Sequence, residues 1–320
     1  MTIEDMTTTA QRGFVTIATG KFEYYELARN LLLSYKFHTS TPLPFAILCD
    51  RKNRITDEFD DVVLIDSPRR AFSDKLRILD LSPYEETIFI DADSLAYSDL
   101  NRLWELFKDS PPFGLIGEVL PVDSDRAWLS LEDTGKFKDS IDKFIICQGG
   151  IYYVRRDCPE DFKATAQYIF EHYYDFNFRK FKVVPCDETI LSLACAVHKF
   201  YPSHNLGDVF CYYPVVRQIH KMDIRKGVLE YGYIWQEAGA TTDGRLLVHW
   251  GTHGTRSWLY ARELERLVSA SKNHRVNPFR LLFRYVRSFL KTLPSRSPYK
   301  FKSFVFRLLH PQYQYTKERS

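Results

Sequence analysis

Thr87-Ile88-Phe89-Ile90-Asp91-Ala92-Asp93-Ser94 is the stretch from which the fold is read. Four apolar or β-branched residues end abruptly in two carboxylates with one small residue between them. A short apolar run of this kind reads as a buried strand. Carboxylates leaving its C-terminal end lie where open α/β sheets place their chemistry. They are costly to bury unpaired, yet they are good ligands for a hard divalent cation. An isolated Asp-x-Asp is common by chance, so its meaning depends on the sequence around it.

Upstream, Phe14–Ala18 reads as a first strand, turned by Gly20 and Lys21 into a helix over about 24–35. Leu27, Leu31 and Tyr35 recur there at helical spacing. Strands follow at 45–49, ended by Asp50, and at 62–65, and Ser73 and Asp74 suit the cap of a short helix through Leu81. After the Asp-x-Asp comes a helix near 103–107. Strands alternating with helices in this way imply an α/β sheet. The rhythm then changes. A strand is expected at 113–117, and 119–143 is a long, charged stretch of weak periodicity, expected to be structureless and a candidate lid or acceptor side. Residues 145–154 are apolar and contain Gly149-Gly150, where backbone has to approach something closely. Helices are expected at 161–174, 187–195 and 257–268, and a short strand at 246–248 delivers His249.

The net charge of +3 conceals an asymmetry. Residues 271–320 hold twelve Lys or Arg and one acid, a charge of +11, whereas the remainder is at −8. Pro278 suits a first helical turn. From it, Phe279, Leu282, Phe283, Val286, Phe289 and Leu290 fall on one arc, with Arg280, Arg284, Arg287 and Lys291 beside it. Pro294 and Pro298 break the helix, and a second aromatic-basic segment spans 299–309. Aromatic residues flanked by Arg and Lys favour an anionic membrane surface over residues 278–309; helices docked on the body and a nucleic-acid arm are the alternatives, and no nucleic acid is expected as partner. The six cysteines form no C-x-x-C pair and read as buried thiols of a reducing compartment. The polar, acidic start is unlike a signal peptide, and no apolar run is long enough to span a bilayer, so the expected location is cytoplasmic, peripheral on the cytosolic membrane face.

A divalent ion needs oxygen or imidazole ligands, and a pyrophosphate needs positive charge beside that ion. Lys75 lies 16 residues before Asp91; His249 is followed by Gly251-Thr252-His253-Gly254-Thr255-Arg256, a glycine-rich loop ending in a cation. Asp187-Glu188 opens a helix, where capping competes with catalysis as the explanation.

The order of these parts resembles the GT-A glycosyltransferases, specifically glycosyltransferase family 8 with its glycogenin and bacterial lipopolysaccharide galactosyl/glucosyltransferase relatives. Residues 14–258 carry the resemblance. Phe14–Thr19 resembles the first nucleotide-binding strand, and Tyr24 stands where the family has an aromatic that stacks on uracil, with Tyr25 a competitor. Phe89–Ser94 resembles F-x-D-A-D-[ST], which binds Mn2+; Lys75-Leu76 resembles the lysine that touches diphosphate or sugar. Gln148-Gly149-Gly150-Ile151 stands for Asn-[SA]-G-[VI], Asp187–Leu191 for the D-Q-x-x-L helix start facing the donor sugar, and His249–Trp258 for H-F-x-G-x-x-K-P-W, whose histidine is the third metal ligand. Gln148 and Arg256 depart from Asn and Lys, and the His249 loop is one residue longer; arginine can still clamp phosphate.

The resemblance implies a GT-A, Rossmann-like mixed sheet with flanking helices over 13–270, after a flexible 1–12 and before a basic amphipathic helical tail at 271–320. It implies a hexosyltransferase acting on a UDP-sugar with retention, Mn2+ or Mg2+ held by Asp91, Asp93 and His249, and Asp187, Gln148 and Lys75 at the reacting sugar. Ala18, Thr19, Tyr24, Asp50, Arg70, Lys75, Ala92, Gly149, Glu188, Gly251, Gly254 and Arg256 would bind the nucleotide-sugar. The acceptor expected is a saccharide or lipid-linked saccharide. A degenerate transferase that only binds a ligand or partner at a membrane is the alternative. A phosphatase-type D-x-D-x-[TV] is a rival for the motif, but Leu95 occupies the last place and three strands precede it.

Overall fold

The computed structural model describes residues 10–205, 209–237, 242 and 244–290, without the side chains at 252 and 288–290. The expected flexible start over 1–9, the expected helix break at Pro294 and Pro298, and the expected second aromatic-basic segment over 299–309 lie outside these residues. The chain divides into two compact units. The first runs through Leu32 and takes in Thr41–Ala92 and Asn101–Val209; the second takes in Leu33–Ser40, Asp93–Leu100 and the chain from Phe210 onward.

The first unit is built on a six-stranded mixed sheet. In chain order its strands are β1 (Arg12–Ala18), β2 (Phe45–Cys49), β3 (Asp61–Leu64), β4 (Glu86–Ile90), β6 (Phe113–Pro121) and β7 (Lys143–Arg155); β5 (Ser94–Ala96) belongs to the second unit. Their spatial order is β3-β2-β1-β4-β7-β6. The first four are parallel, and β7 runs antiparallel to both β4 and β6. The order reverses between β1 and β4, the kind of topological switch point outside whose carboxyl strand ends open α/β sheets bind ligands. Helices α1 (Phe22–His38), α4 (Glu160–Glu171) and α5 (Asp187–His198) flank the strands, with shorter helices α2 (Ile78–Leu81) and α3 (Leu103–Phe107). β2 is buried along its whole length, as an apolar run between parallel neighbours requires.

The second unit holds a three-stranded sheet and a hairpin. β5 (Ser94–Ala96), β11 (Leu247–His249) and β8 (Phe210–Tyr212) lie in the order β5-β11-β8, and β9 (Val216–Asp223) pairs antiparallel with β10 (Val228–Tyr233). Three helices follow: α6 (Gly251–Gly254), α7 (Trp258–Ser271) and α8 (Pro278–Leu290). Ser257 caps α7, its hydroxyl accepting the Tyr260 N–H at 3.1 Å. α8 packs on α7: Tyr285 is buried edge-on to Trp258, and Arg284 Nε donates to the buried Glu265 at 2.9 Å.

Three expectations need correction. The stretch 119–143 is not structureless: β6 continues to Pro121, 3-10 turns occupy Glu132–Ser140, and Ala127, Trp128, Leu129, Phe137 and Ile141 enter the first unit's core. Its apolar residues are spaced without period, so each finds the core separately and no helix or strand pattern forms. The expected glycine-rich loop at 251–256 begins as the helical turn α6, with Gly251 at φ +63° and Gly254 pressed against Tyr213. Finally, β5, β8, β9 and β10 went unanticipated; three-residue strands leave no period to read, and the β9–β10 register shifts twice.

Candidate active site

The first unit brings Thr19, Asp50 and Asp91 to the carboxyl ends of β1, β2 and β4. Thr19 and Asp50 are engaged within the protein. Thr19 Oγ1 donates to Asp74 Oδ2 at 3.0 Å, and Asp74 also accepts the backbone N–H groups of Arg69 and Arg70, each at 2.8 Å. Asp50 accepts the Gly20 N–H at 3.1 Å and the Tyr25 hydroxyl, with an Arg70 guanidinium nitrogen 3.5 Å away. Burial pushes the Asp50 carboxyl up, but the Tyr25 hydroxyl, the Gly20 N–H and the guanidinium groups of Arg51 and Arg70 outweigh it and hold it below the usual range. Tyr25 is buried against this carboxylate, whereas Tyr24 is exposed on α1. Ala18 is buried and Arg70 is exposed, with φ at 57°. The buried Asp74 and Tyr25 organise this edge; each meets a partner distant in sequence, which no local pattern marks.

Beside Asp91 lies a largely buried charged cluster, with Asp187 at its most enclosed point. Lys75 Nζ donates to Asp91 Oδ2 at 2.7 Å and to the Gly149 carbonyl at 3.0 Å, and stands 3.3 Å from Asp187 Oδ2. The three contacts match the three donors of an ammonium group. Burial alone would lower its pKa, but Asp187 and Asp91 raise it well above the ordinary lysine value. Lys75 is therefore a fixed positive charge, unavailable as a base. Asp187 is 1% exposed and also accepts the Tyr152 hydroxyl at 2.7 Å. Burial and the Asp187 charge push Tyr152 up, keeping its phenol protonated for that bond. Glu188 accepts the Gly149 N–H at 2.8 Å. A Cβ on Gly149 would lie 2.6 Å from Asp187 Oδ2, which explains why glycine stands there. Gln148 is 9% exposed, and its buried Oε1 has no hydrogen-bond partner among the described residues.

Within the second unit, His249 ends β11 opposite Ser94 of β5 and beside Tyr212 of β8. Its Nε2 is 3.0 Å from Asp93 Oδ1, and the Trp250 N–H donates to the Asp93 carbonyl at 3.1 Å. His249 is buried, its ring 5.3 Å from that of Tyr212. Arg256 is partly buried, and its Nε is without a partner among the described residues. Ala92 closes the first unit and Asp93 opens the second, so Asp91 is tied to this pair through a single residue. Asp91, Asp93 and His249 are a set of groups that could hold a metal ion; two carboxylates and an imidazole suit a divalent cation of the Mg2+ or Mn2+ kind.

All six cysteines are free and buried, as expected from their spacing. Burial drives the thiols of Cys147, Cys186 and Cys195 upward and Cys49 to about 11, so these remain thiols. Among the described residues no helix is long and apolar enough to cross a membrane.

No family model matches this chain, and no curated protein matches its sequence. Among solved structures, an active-site mutant of LgtC aligns with 85% of this chain and 99% of its own at 12% identity, with a TM-score of 0.48. Mouse xyloside xylosyltransferase 1 in its apo form aligns with 77% of this chain and 99% of its own at 10% identity, with a TM-score of 0.46. WbbM, described as a bifunctional glycosyltransferase, aligns in its apo form over 65% of this chain at 13% identity, with a TM-score of 0.40. This chain spans 41% of WbbM and 45% of the Streptococcus pneumoniae glycosyltransferase GlyE. These are partial likenesses of chain path.

Proposed function

We propose that the chain is a metal-dependent GT-A glycosyltransferase of the family 8 kind, moving a hexose from a UDP-sugar to a saccharide or lipid-linked saccharide. The observation that carries this reading is the Asp93–His249 pair at 3.0 Å, two residues along the chain from an Asp91 that Lys75 grips at 2.7 Å. Asp91, Asp93 and His249 would hold Mn2+ or Mg2+. When bound there, the ion would supply Lewis-acid neutralisation of the charge gathering on a departing diphosphate.

The chain's own side chains support the remaining roles. Lys75 offers permanent positive charge at Asp91, and Arg256, with its orphaned buried Nε, is our candidate for a second cation at the diphosphate. Gln148 Oε1 is available to a sugar hydroxyl, and Asp187 is oriented toward the same task by Tyr152 and Lys75. Lys75 is held as ammonium and Cys147 as thiol, so neither serves as base or nucleophile. The family resemblance implies retention, and our reading of it is a front-side displacement in which the leaving diphosphate oxygen takes the acceptor's proton. Tyr24, Arg70, Gly149, Glu188, Gly251 and Gly254 remain our candidates for the nucleotide-sugar. The exposed Phe279, Leu282 and Phe283 of α8, beside Arg280 and Arg287, are our candidates for contact with anionic lipid at a cytosolic membrane face.

The test is UDP release from UDP-glucose, UDP-galactose and UDP-N-acetylglucosamine with and without Mn2+. At least one donor should be cleaved, and only with the metal. If none is cleaved under either condition, the enzymatic reading fails.

A further inference from the structure

The segment leading into α5 is a pinned loop with a sticky tip. Arg179 holds its base: the backbone N–H donates to the Trp128 carbonyl at 2.6 Å, and Nη1 donates to the carbonyls of Asp125 and Ala127 at 2.8 and 3.1 Å. Tyr173 ties the tip to the helix that carries Asp187, its hydroxyl donating to the Phe181 carbonyl at 3.1 Å and lying 2.9 Å from Thr189 Oγ1. The Tyr174 hydroxyl donates to the Val183 carbonyl at 3.2 Å. At the tip, Phe181 takes φ of 55°, a left-handed conformation rare for a bulky side chain and frequent where strain serves a function.

What this scaffold presents is apolar and basic in alternation. Val183 is 83% exposed, and Tyr174, Phe181 and Val184 are exposed with it. Lys180 and Lys182 interleave with them; both are exposed, and neither has a carboxylate partner among the described residues. Lys180 Nζ lies 5.6 Å from the centroid of the Trp128 ring, and Phe181 meets that ring edge-on at 6.4 Å. Apolar side chains held in water by six hydrogen bonds, with unneutralised ammonium groups between them, complement an alkyl chain bearing a phosphate-type anion.

We propose that Phe181, Val183 and Val184, with Lys180 and Lys182, seat the alkyl and anionic end of an amphiphilic acceptor whose saccharide is directed toward α5. The proposal rests on the transferase reading and specifies its acceptor: a lipid-phosphate-linked saccharide, as distinct from a bulk bilayer or a free glycan. The patch lies in the first unit, apart in sequence from the amphipathic α8.

The test uses the full chain and dodecyl phosphate below its micelle concentration, with Trp128 emission as reporter. A saturable emission change is expected in the wild type and should vanish in Trp128→Phe. The double variant Val183→Glu/Val184→Glu should weaken binding by roughly tenfold or more, because a carboxylate would have to be desolvated against the alkyl chain. Lys180→Ala/Lys182→Ala should remove the preference for dodecyl phosphate over dodecyl maltoside. Both variants should bind UDP with Mn2+ as the wild type does. Wild-type affinity for dodecyl phosphate in the glutamate variant, or a signal that persists without Trp128, overturns the proposal. So does equal wild-type affinity for the two detergents, or response only to phosphatidylglycerol vesicles. If UDP and Mn2+ fail to bind any form while dodecyl phosphate binds at this patch, the transferase reading fails and the amphiphile site survives as a binding site.

Discussion

Lys75 meets Asp91, Asp187 and the Gly149 carbonyl with all the donors it has. Replacing it with methionine leaves two carboxylates facing each other without their cation, which should cost about 3–5 kcal/mol. Urea unfolding of Lys75→Met measures this, and a variant as stable as the wild type would mean that the ion pairs are not holding the cluster. Asp50 supplies the acid limb. Its carboxyl titrates below the usual 3.8 in the folded state. The stability it contributes is therefore complete above that value and is lost as pH falls through the lowered one. Tyr25→Phe removes a hydroxyl that stabilises the charged form, so the folded pKa rises and the acid-unfolding midpoint should move to higher pH. An unchanged midpoint, followed by tryptophan fluorescence, would show that the other partners suffice. At this scale the sequence singled out Asp91, Asp93 and His249, from carboxylates at a strand end and from the family resemblance, and the three are a set of groups that could hold a metal ion. Tyr152 and Asp74 were not legible, since a tyrosine in an apolar run and an aspartate near a helix start look ordinary until distant partners arrive.

β7 and α5 meet at Gly149, on what we propose is the sugar side of the candidate site, and their fit depends on one missing side chain. Gly149→Ala would place a Cβ 2.6 Å from Asp187 Oδ2 and 2.9 Å from the Tyr152 hydroxyl. The clash is with buried, hydrogen-bonded groups, so a loss of about 1–3 kcal/mol is expected, together with weaker donor binding. A fully stable, fully binding alanine variant would mean that the two elements part at no cost. The close approach at Gly149-Gly150 was readable from an apolar strand interrupted by glycines. The tail helix was readable only in part. Its periodicity identified α8, but the face that docks is Tyr285 and Arg284 and not the long apolar arc: Phe279 remains 82% and Phe283 68% exposed. Amphipathic pattern identifies an apolar stripe; which neighbour meets which side depends on α7 offering Glu265 and Trp258. Tyr285→Ala should therefore increase amide exchange in α8 while leaving β7 and α5 protected. Equal protection in α8 would show that the Arg284–Glu265 pair holds the helix unaided.

Over the whole molecule, alternating strands and helices up to Phe107 were enough to infer an α/β sheet, and the mixed sheet of order β3-β2-β1-β4-β7-β6 agrees. The second unit was far less legible. Its strands are short, and β5 and β11 pair across about 150 residues of chain, so local pattern says nothing of their meeting. That meeting matters most, because it sets His249 opposite Ser94 and against Asp93. The central claim is that Asp91, Asp93 and His249 hold a divalent ion for a nucleoside diphosphate. Calorimetric titration of the full chain with UDP tests it directly. The account predicts binding in the presence of Mn2+, none with chelator, and a loss on the order of 100-fold in Asp93→Asn. UDP binding of equal strength without metal, or wild-type affinity in Asp93→Asn, would contradict it.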